Sequence, residues 1–464
     1  MRGRQRVASR DYIIGHGKEE NSASVRLPNA KPWRRSLRHV VVASLSSFLY
    51  GYHIGVVNET LESISEDLDF SGNTMAEGLV VSTCLGGAFV GSLFSGWIAD
   101  GVGRKRSFQL CALPIIIHNL CSATANSLWG MLLGRLFVGT GMGLGPPVAA
   151  LYVAEVSPPA VRGTFGALTQ IATCLGLMGS FFIGIPAKEI VGWYEMILYI
   201  TAQFTYKSKT RGKTIEAEAE FEKLLGGVNV KSAMADLSKS DRGDESSSVK
   251  LSELLCGCHA RVMFIGSVLF ALQQLSGINA VFYFSSTVFE SFGVPSDLAN
   301  MSVGVCNLLG SIVAMILMDK LGRKVLLMGS FFGMAVAMGL QVLAASSFAA
   351  GSGAMYLSVG GMLLFVLSFA LGAGPVPCLV MSEMLPGKIR AKAMAICLAA
   401  HWVINFFVGL LFLRLLEQIG AQLLYSIFGS FCLIAVAFVK KYILETKGKS
   451  LQEIEIALLA QEAS

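Results

Sequence analysis

Charged residues are scarce in this sequence: Asp, Glu, Lys and Arg make up 15% of its 464 residues, while 53% are hydrophobic. A soluble multidomain enzyme of this length carries more charge, so the composition favours a polytopic membrane protein. Nucleotide-binding loops, Ser/His/Asp arrangements and clusters of metal ligands are also missing from the sequence. We therefore expect neither an enzyme nor a bound cofactor.

Two further absences concern cysteine and the N-terminus. The ten cysteines are scattered singly through apolar runs, which excludes a disulfide framework. Cys256, Cys258 and His259 lie close together, but a zinc site needs a further pair of ligands and the sequence has none nearby. Residues 1–38 contain no apolar run, which argues against a cleaved secretory signal. The first ten residues are Arg-rich and free of acids, so this segment is either a cytosolic tail or transit-like.

Long apolar runs are what the sequence does have. Runs of about 18 residues or more with few charges predict membrane-spanning helices. They lie near 37–57, 78–98, 107–125, 128–151, 164–186, 189–206, 261–289, 299–318, 325–347, 354–381, 393–415 and 420–440. The run at 189–206 is the weakest of the twelve, because it is short and contains Glu195.

Basic residues fix the predicted orientation. If the N-terminus is cytosolic, all Lys and Arg residues lie on the cytosolic side except Lys188, Arg414 and the intramembrane Arg135. This distribution follows the positive-inside rule. The net charge of +6 therefore reflects topology and gives no indication of nucleic-acid binding.

The chain divides into five predicted regions. The N-terminal tail and the C-terminal tail enclose two helical halves, which a polar loop with short helices and a disordered centre joins. The regions are 1–38, 39–206, 207–258, 259–442 and 443–464.

Two motifs recur at nearly one offset and indicate a duplicated half of six helices. Members of the first motif recur 219 residues later and those of the second 228 residues later. The pairs are Asp100 with Asp319, Gly103 with Gly322, Arg104 with Arg323, Glu155 with Glu383 and Arg162 with Arg390. One interpretation is a tight basic turn that caps two helices. The other is a latch, whose carboxylates and guanidiniums bridge the halves in one state and separate in the other.

Amide side chains lie within the apolar run from Phe270 to Glu290, namely Gln273, Gln274 and Asn279. They either bond neighbouring helices as packing contacts or line a pocket for a hydroxyl-rich solute. On an ideal helix Gln274 and Asn279 do not share a face. The pocket interpretation therefore requires a helix break near Gly277.

Three further polar residues lie within predicted spans. Arg135 is about two turns deep in apolar sequence and needs a partner or an aqueous cavity, although nearby glycines also indicate close helix packing. His53 is either a satisfied polar group or a functional one. Gln170 in the fifth span is either a packing amide or part of a pocket.

Several strings together resemble the sugar porter branch of the major facilitator superfamily. They are DGVGRK, GR (134–135) with AEVSPPAVRG, QQLSGINAVFY, DKLGRK, GAGPVP with SEM, HWVINF and ETKGKSL. Within that branch, GYHIGVVNETLE and GAGPVP are most similar to plant plastidic glucose translocators. The resemblance implies an all-helical membrane protein of two six-helix halves around a central cavity. It also implies a small-molecule sugar and the lipid bilayer as partners. The sequence leaves the oligomeric state open, and we expect a monomer to be sufficient.

The resemblance also implies site residues and a mode of transport. The sugar-contacting positions of the family fall on Gln170, Gln273, Gln274, Asn279, Asn307 and Asn405, with Trp402 beside them. Proton-coupled members carry an Asp where His53 stands, close to the arginine that matches Arg135. We therefore expect facilitated diffusion of a hexose, and sugar–proton symport is the alternative. A family aromatic is replaced by Cys378 and an Asn by His401.

The match to the family breaks after Trp193 and resumes at Glu216. Residues 190–204 offer about fifteen apolar or neutral residues, whereas a span usually needs roughly 20. We infer a short, strained sixth helix. A sugar sensor or an inactive variant is the corresponding alternative function.

Overall fold

The computed structural model describes residues 33–157, 162–187, 260–291, 295–346, 352–385, 389–447 and 453–454. The regular elements of these residues are all helices, as the sequence predicts. They are α1 (Trp33–Asp67), α2 (Thr74–Val102), α3 (Arg104–Ala123), α4 (Leu128–Val156), α5 (Arg162–Ala187), α6 (Ala260–Leu275), α7 (Ile278–Ser291), α8 (Ser296–Leu321), α9 (Arg323–Ala344), α10 (Ser352–Ser368), a π-helical turn (Phe369–Ala373), α11 (Val376–Met384) and α12 (Arg390–Tyr442).

The described helices agree with eleven of the predicted spans. Nine stretches of this part of the chain are long and apolar enough to cross a membrane. The predicted span 107–125 forms α3 but is not among the nine, since α3 begins with three basic residues and contains His118 and Asn119. The predicted sixth span, 189–206, and the central loop, 207–258, lie outside the described residues.

Glycine marks three reversals of the chain. At 53 residues α12 is too long for one span, because a helix crosses the hydrocarbon in about 20 residues. Gly420 interrupts it with φ 78° and ψ 162°. Gly103 and Gly322, which separate α2 from α3 and α8 from α9, have nearly the same angles (80°, 158° and 90°, 163°). Only glycine adopts this backbone region without strain. The two predicted spans at 393–415 and 420–440 are therefore the two parts of α12.

Close packing of α2 against α4 depends on small residues. A Cβ at Gly139 or Gly143 on α4 would overlap the carbonyl oxygen of Cys84 or Ala88 on α2. A Cβ at Gly87 or Gly91 on α2 would overlap backbone atoms of α4 in the same way. Glycine spaced four residues apart lets membrane helices approach to backbone contact. The packing interpretation of the glycines around Arg135 is thus confirmed.

Two equivalent contacts join the halves of the molecule. The first half contains α1–α5 and the second α6–α12. The first part of α12 packs on α2, with Phe406 against Gly86, and α8 packs on α5, with Gly304 against Met178. Under the sequence repeat, α2 corresponds to α8 and α5 to the first part of α12. The same pair of helices therefore makes contact twice, as a duplicated fold with internal two-fold symmetry requires.

The Gly420 turn can be tested alone, because a Cβ there would meet no atom within 4 Å. We expect Gly420→Ala to lower the free energy of unfolding by about 1–3 kcal/mol, the typical cost of forcing a side chain into this backbone region. Gly339→Ala is the matched control, since Gly339 lies in open space within helical α9. Thermal unfolding in detergent should show a loss for the first variant only; equal melting temperatures would contradict the assignment of strain.

Candidate substrate-binding site

The polar centre of the molecule forms where one membrane span breaks between α6 and α7. Gly277 has φ +86°, and a Cβ there would come within 2.5 Å of the Phe428 ring. The backbone amide of Gly277 bonds the carbonyl of Gln274 (3.0 Å), which closes a tight turn in place of the helix. The break that the pocket interpretation requires is therefore present.

Across this turn, Gln274 and Asn279 meet. The amide nitrogen of Asn279 donates to Gln274 Oε1, and Gln274 Nε2 bonds Nδ1 of His401 on α12 at 3.0 Å. Gln274 and Asn279 are buried and His401 is half-buried. Three side chains from α6, α7 and α12 thus form one chain of hydrogen bonds, which we call the amide relay.

Gln273, the neighbour of Gln274, points to another element. Its Nε2 donates to the carbonyl oxygen of Ala373 in the π-helical turn at 2.5 Å. That bond satisfies a backbone group which the irregular turn leaves outside regular helix pairing. Gln273 therefore holds α6 to the interrupted tenth span, while its Oε1 is buried without a partner.

Trp402 and Asn405 line the α12 side of the centre. The Trp402 ring lies 4.8 Å from the His401 ring and 6.0 Å from the Tyr50 ring of α1, measured between centroids. Asn405 Nδ2 donates to the hydroxyl of Tyr283 on α7 at 3.3 Å. The site thus includes Tyr50 and Tyr283, two aromatic residues that the sequence did not single out.

Gln170 and Asn307 come together at the contact between α5 and α8. Gln170 Nε2 donates to the Cys174 sulfur (3.8 Å), and that sulfur bonds the backbone oxygen of Asn307 (3.8 Å) and Ser311 Oγ (3.2 Å). Among the described residues no hydrogen bond joins this pair to the amide relay. The structure therefore gives two groups of predicted site residues.

Unpartnered polar atoms mark the same residues. Four of the seven predicted sugar contacts hold a buried atom without a hydrogen-bond partner in the described structure. They are Gln273 Oε1, Asn307 Oδ1, Asn405 Oδ1 and Trp402 Nε1. Each such group costs about 1–3 kcal/mol unless something bonds it. A hydroxyl both donates and accepts, so a polyol suits three acceptors and one donor.

Comparisons with known proteins agree with this chemistry. A family model described as "Sugar (and other) transporter" matches residues 39–458. The chain belongs to this sugar transporter family.

This chain is similar to curated relatives and to solved structures over nearly its whole length. It is 63% identical to "Probable plastidic glucose transporter 3" of Arabidopsis thaliana, over 99% of this chain and 97% of the relative. It is 62% identical to "Probable plastidic glucose transporter 2" of the same plant, over 98% and 97%. The solved proton:xylose symporter XylE of the major facilitator superfamily, bound to 6-bromo-6-deoxy-D-glucose, shares 27% identity and a TM-score of 0.79, covering 91% of this chain and 99% of that one. The protein is a multi-pass membrane transporter with the major facilitator fold and not an enzyme.

One count from these comparisons concerns the length of this chain. The alignment with transporter 3 runs over 487 positions, whereas this chain has 464 residues. At least 23 positions of the alignment are therefore gaps in this chain. That is about the length of one membrane span.

The predicted coupling position lies in a second polar cluster, inside the first half. His53 on α1 packs edge-on against His118 on α3, with ring centroids 5.7 Å apart. His118 Nδ1 bonds Ser122 (2.9 Å), and Arg135 donates from Nε to the carbonyl of Val80 (3.3 Å). Both ring nitrogens of His53 and Nη2 of Arg135 are buried without partners, and Arg135 forms no ion pair with the described residues. His118 and Ser122 carried no recognisable signal in the sequence.

The predicted latch is described in the second half only. Arg323 Nη2 pairs with Glu383 (3.3 Å), while Arg390 donates to the carbonyl of Leu385. The pair joins α9 to α11, two helices of one half, so the bridging of halves stays a prediction. Four other residues of the predicted latch have side chains that lie outside the described structure, namely Asp100, Glu155, Arg162 and Asp319. The side chain of Arg104 lies within it.

The C-terminal segment completes the tie at this end. The Glu445 carboxylate accepts the backbone N–H groups of Arg323 (2.9 Å) and Lys324 (3.0 Å), at the N-terminus of α9. Thr446 Oγ1 donates to Glu383 (2.5 Å). A carboxylate at a helix N-terminus compensates its free N–H groups and its positive dipole end.

The opposite end of the molecule is closed by uncharged groups. Asn58 on α1 donates to Ser285 Oγ (3.1 Å) and accepts the backbone N–H of Ser286 (3.3 Å) on α7. Asn300 on α8 bonds both serine hydroxyls (2.6 and 2.7 Å). The charge distribution assigns this end to the non-cytosolic side. These bonds hold α1 of the first half to α7 and α8 of the second half at this end of the described structure.

The pKa of Glu445 provides a test of the C-terminal tie. Burial raises this pKa, but the N–H groups of Lys447, Arg323 and Lys324 and the charge of Arg323 lower it by more, so the net pKa lies below its ordinary value. A carboxyl group whose pKa is lower in the folded than in the unfolded state stabilises the fold at pH values above its unfolded pKa. This stabilisation is lost as the pH falls through the folded pKa. We expect Glu445→Gln to melt at a lower temperature than wild type at neutral pH. The difference should shrink in acid; a difference independent of pH would contradict the role of the charge.

The amides of the relay can be separated from packing amides by mutation. We expect Gln274→Ala and Asn279→Ala each to weaken sugar binding by about 0.5–1.5 kcal/mol, the value of one hydrogen bond, without preventing membrane insertion. Gln341→Ala is the control, because the buried Gln341 bonds only Ser358 of α10. It should lower the melting temperature and leave affinity unchanged. Equal affinity of wild type and both relay variants, by sugar-dependent thermal shift, would show that the relay is a packing contact.

Proposed function

We propose that this sugar transporter carries a hexose, glucose foremost, down its concentration gradient by alternating access. The observation that carries the proposal is the meeting of Gln274, Asn279 and His401 across the Gly277 break. Relatives at 63% and 62% identity are named glucose transporters. The substrate contacts would come from both groups of site residues: Gln170, Gln273, Gln274, Asn279, Asn307, Trp402 and Asn405.

The chemistry of these side chains favours a neutral polyol. Amides and an indole supply donors and acceptors without net charge, as hydroxyl groups need. An ionic substrate in this buried place would need an opposite charge to offset its desolvation. Among the described residues the amide relay offers none. The aromatic surfaces of Trp402 and Tyr50 add an apolar face for a sugar ring.

The cluster around His53 favours facilitated diffusion over proton symport. A carboxylate near Arg135 could alternate between a protonated form and an ion pair with the guanidinium. An extra proton on His53 would instead place a second positive charge near Arg135 in a buried place. A proton cycle through this position is therefore costly. We propose that His53 and Arg135 have structural roles and that neither carries a proton during the transport cycle.

The location and the organisation of the chain are part of the same proposal. We propose the plastid envelope as the membrane, since both relatives are named plastidic. The regions 39–206 and 259–442 would be the two moving halves, with 1–38, 207–258 and 443–464 outside the bilayer. We propose that a monomer is sufficient for transport, as the resemblance to the family implies.

A second candidate function rests on the alignment gaps. We infer that the missing positions fall between Trp193 and Glu216, where the sequence departs from the family. A shortened sixth span would weaken the first half while leaving the amide relay intact. A protein that binds sugar without transporting it would follow from this change.

Uptake by purified protein in proteoliposomes tests the proposal. Labelled glucose should enter until its internal concentration equals the external one, and an imposed proton gradient should leave that plateau unchanged. Asn279→Ala, reconstituted at equal density, should slow entry. Accumulation above equilibrium would establish symport. Saturable binding without uptake would support the non-transporting alternative, and restoring a full sixth span should then produce uptake.

A further inference from the structure

The amide relay ends on a titratable side chain. His401 lies half-buried, with its ring edge-on to Phe270 (5.8 Å) and to Trp402 (4.8 Å). These rings hold the imidazole plane, so that Nδ1 points at Gln274. An imidazole can take up a proton in acid, whereas the amide that stands here in the family cannot.

The hydrogen bonds of the relay have a direction. Asn279 donates to Gln274 Oε1, so Gln274 turns its Nε2 toward His401. Nδ1 of His401 must then be an acceptor without a proton, and the proton of the neutral ring is on Nε2. In this direction the oxygen of Asn279 is not used by the relay. It is an acceptor that remains for a sugar hydroxyl.

Protonation of His401 reverses the relay. An imidazolium donates from both nitrogens, so Nδ1 can no longer accept from Gln274. Gln274 must turn its oxygen toward His401 and its NH₂ toward Asn279, whose oxygen then accepts that bond. The oxygen of Asn279 is then occupied and its NH₂ faces the site instead, so a sugar hydroxyl that donated to this oxygen loses its partner. A positive charge also enters a site built from uncharged groups.

We propose that His401 is a positioning residue that sets the direction of the amide relay, so that acid weakens sugar binding at equilibrium without any transport of protons. This inference rests on the proposed sugar-binding role of Gln274 and Asn279. It differs from symport through His53, since there protonation would assist transport, while here it opposes binding.

No charged side chain of the described residues acts on the His401 ring. The titratable groups of the surrounding helices that lie beside the relay are thiols and phenols, whereas Arg261 on α6 and Lys392 and Arg414 on α12 stand nine or more residues along the chain from Gln274 or His401. The thiols and phenols are Cys397, one turn earlier on α12, Cys378 on α11, Tyr50 on α1 and Tyr283 on α7. All four are neutral in acid, since thiols and phenols lose their protons only at alkaline pH. His401 is therefore the side chain of the relay that acid can make positive.

The test measures glucose affinity of the full chain in detergent, by sugar-dependent thermal shift, from about pH 8 into acid well below the ordinary imidazole pKa of about 6.5. In wild type the affinity should fall roughly 2- to 10-fold toward the acid end, the equivalent of one lost hydrogen bond. His401→Asn places an amide oxygen near the position of Nδ1 and cannot titrate. Its affinity should match wild type at the alkaline end and stay flat.

His401→Gln is the matched control for position. Its longer side chain places the amide near the position of Nε2, so the bond to Gln274 is lost and affinity should be low at every pH. If His401 had only a structural role, His401→Asn and His401→Gln would bind glucose with the same affinity whenever their melting temperatures were equal. Gln274→Glu, whose carboxylate retains a proton on His401, serves if an His401 variant does not fold. Its affinity should not fall with acid.

Two results would overturn the inference. One is the same pH profile in wild type and His401→Asn, which would assign the effect to another group, such as His53 or His118. The other is a wild-type affinity independent of pH. Both leave the proposed function intact, because binding is still measured. Absence of saturable glucose binding at any pH would instead overturn the proposed function and the inference together.

Discussion

The structure depends on one constraint, that polar groups inside the bilayer must find partners within the protein. Breaking a span at Gly277 removes helical hydrogen bonds at membrane depth, where water does not replace them. The chain recovers part of this cost locally, since Gly277 bonds Gln274 and Ser276 Oγ bonds the carbonyl of Gln273 at 2.6 Å. The Phe428 ring covers the turn, and only glycine leaves room for it. What the break adds is a set of amides that no continuous helix could bring together.

The second interruption, at the π-helical turn, is satisfied by neighbours of the first. Ser330 on α9 accepts the N–H of Ala373 and donates to the carbonyl of Ser368, each at 2.7 Å. Gln273 bonds the Ala373 carbonyl from α6. The two broken spans are thus connected by the hydrogen bond between Gln273 and the backbone of Ala373. A shift of the turn would move Gln273, and with it the end of α6 that carries Gln274. This is a direct physical route from helix rearrangement to the sugar site.

The two halves share a repeat but differ in their polar interiors. The glycine turns at Gly103 and Gly322 have the same backbone conformation, as duplication predicts. The first half, however, buries two histidines and Arg135, while the second buries a relay of amides. The repeat fixes where helices turn and which pairs of helices make contact. Departures from the repeat distinguish the amide relay of the second half from the cluster around His53 in the first half.

The sequence by itself determined the class of protein, the spans and the need for a break at Gly277, because apolar length, basic loops and backbone freedom are local properties. It also identified the amides, since a buried amide needs a reason wherever it lies. Only the tertiary structure decided how these amides divide: Gln273 holds a backbone carbonyl, Gln274 and Asn279 join His401, and Gln170 shares Cys174 with Asn307. Which side chains meet across helices depends on helix rotation and on side-chain direction at the break. Neither can be calculated from spacing along one chain, because five helices contribute to the arrangement at once.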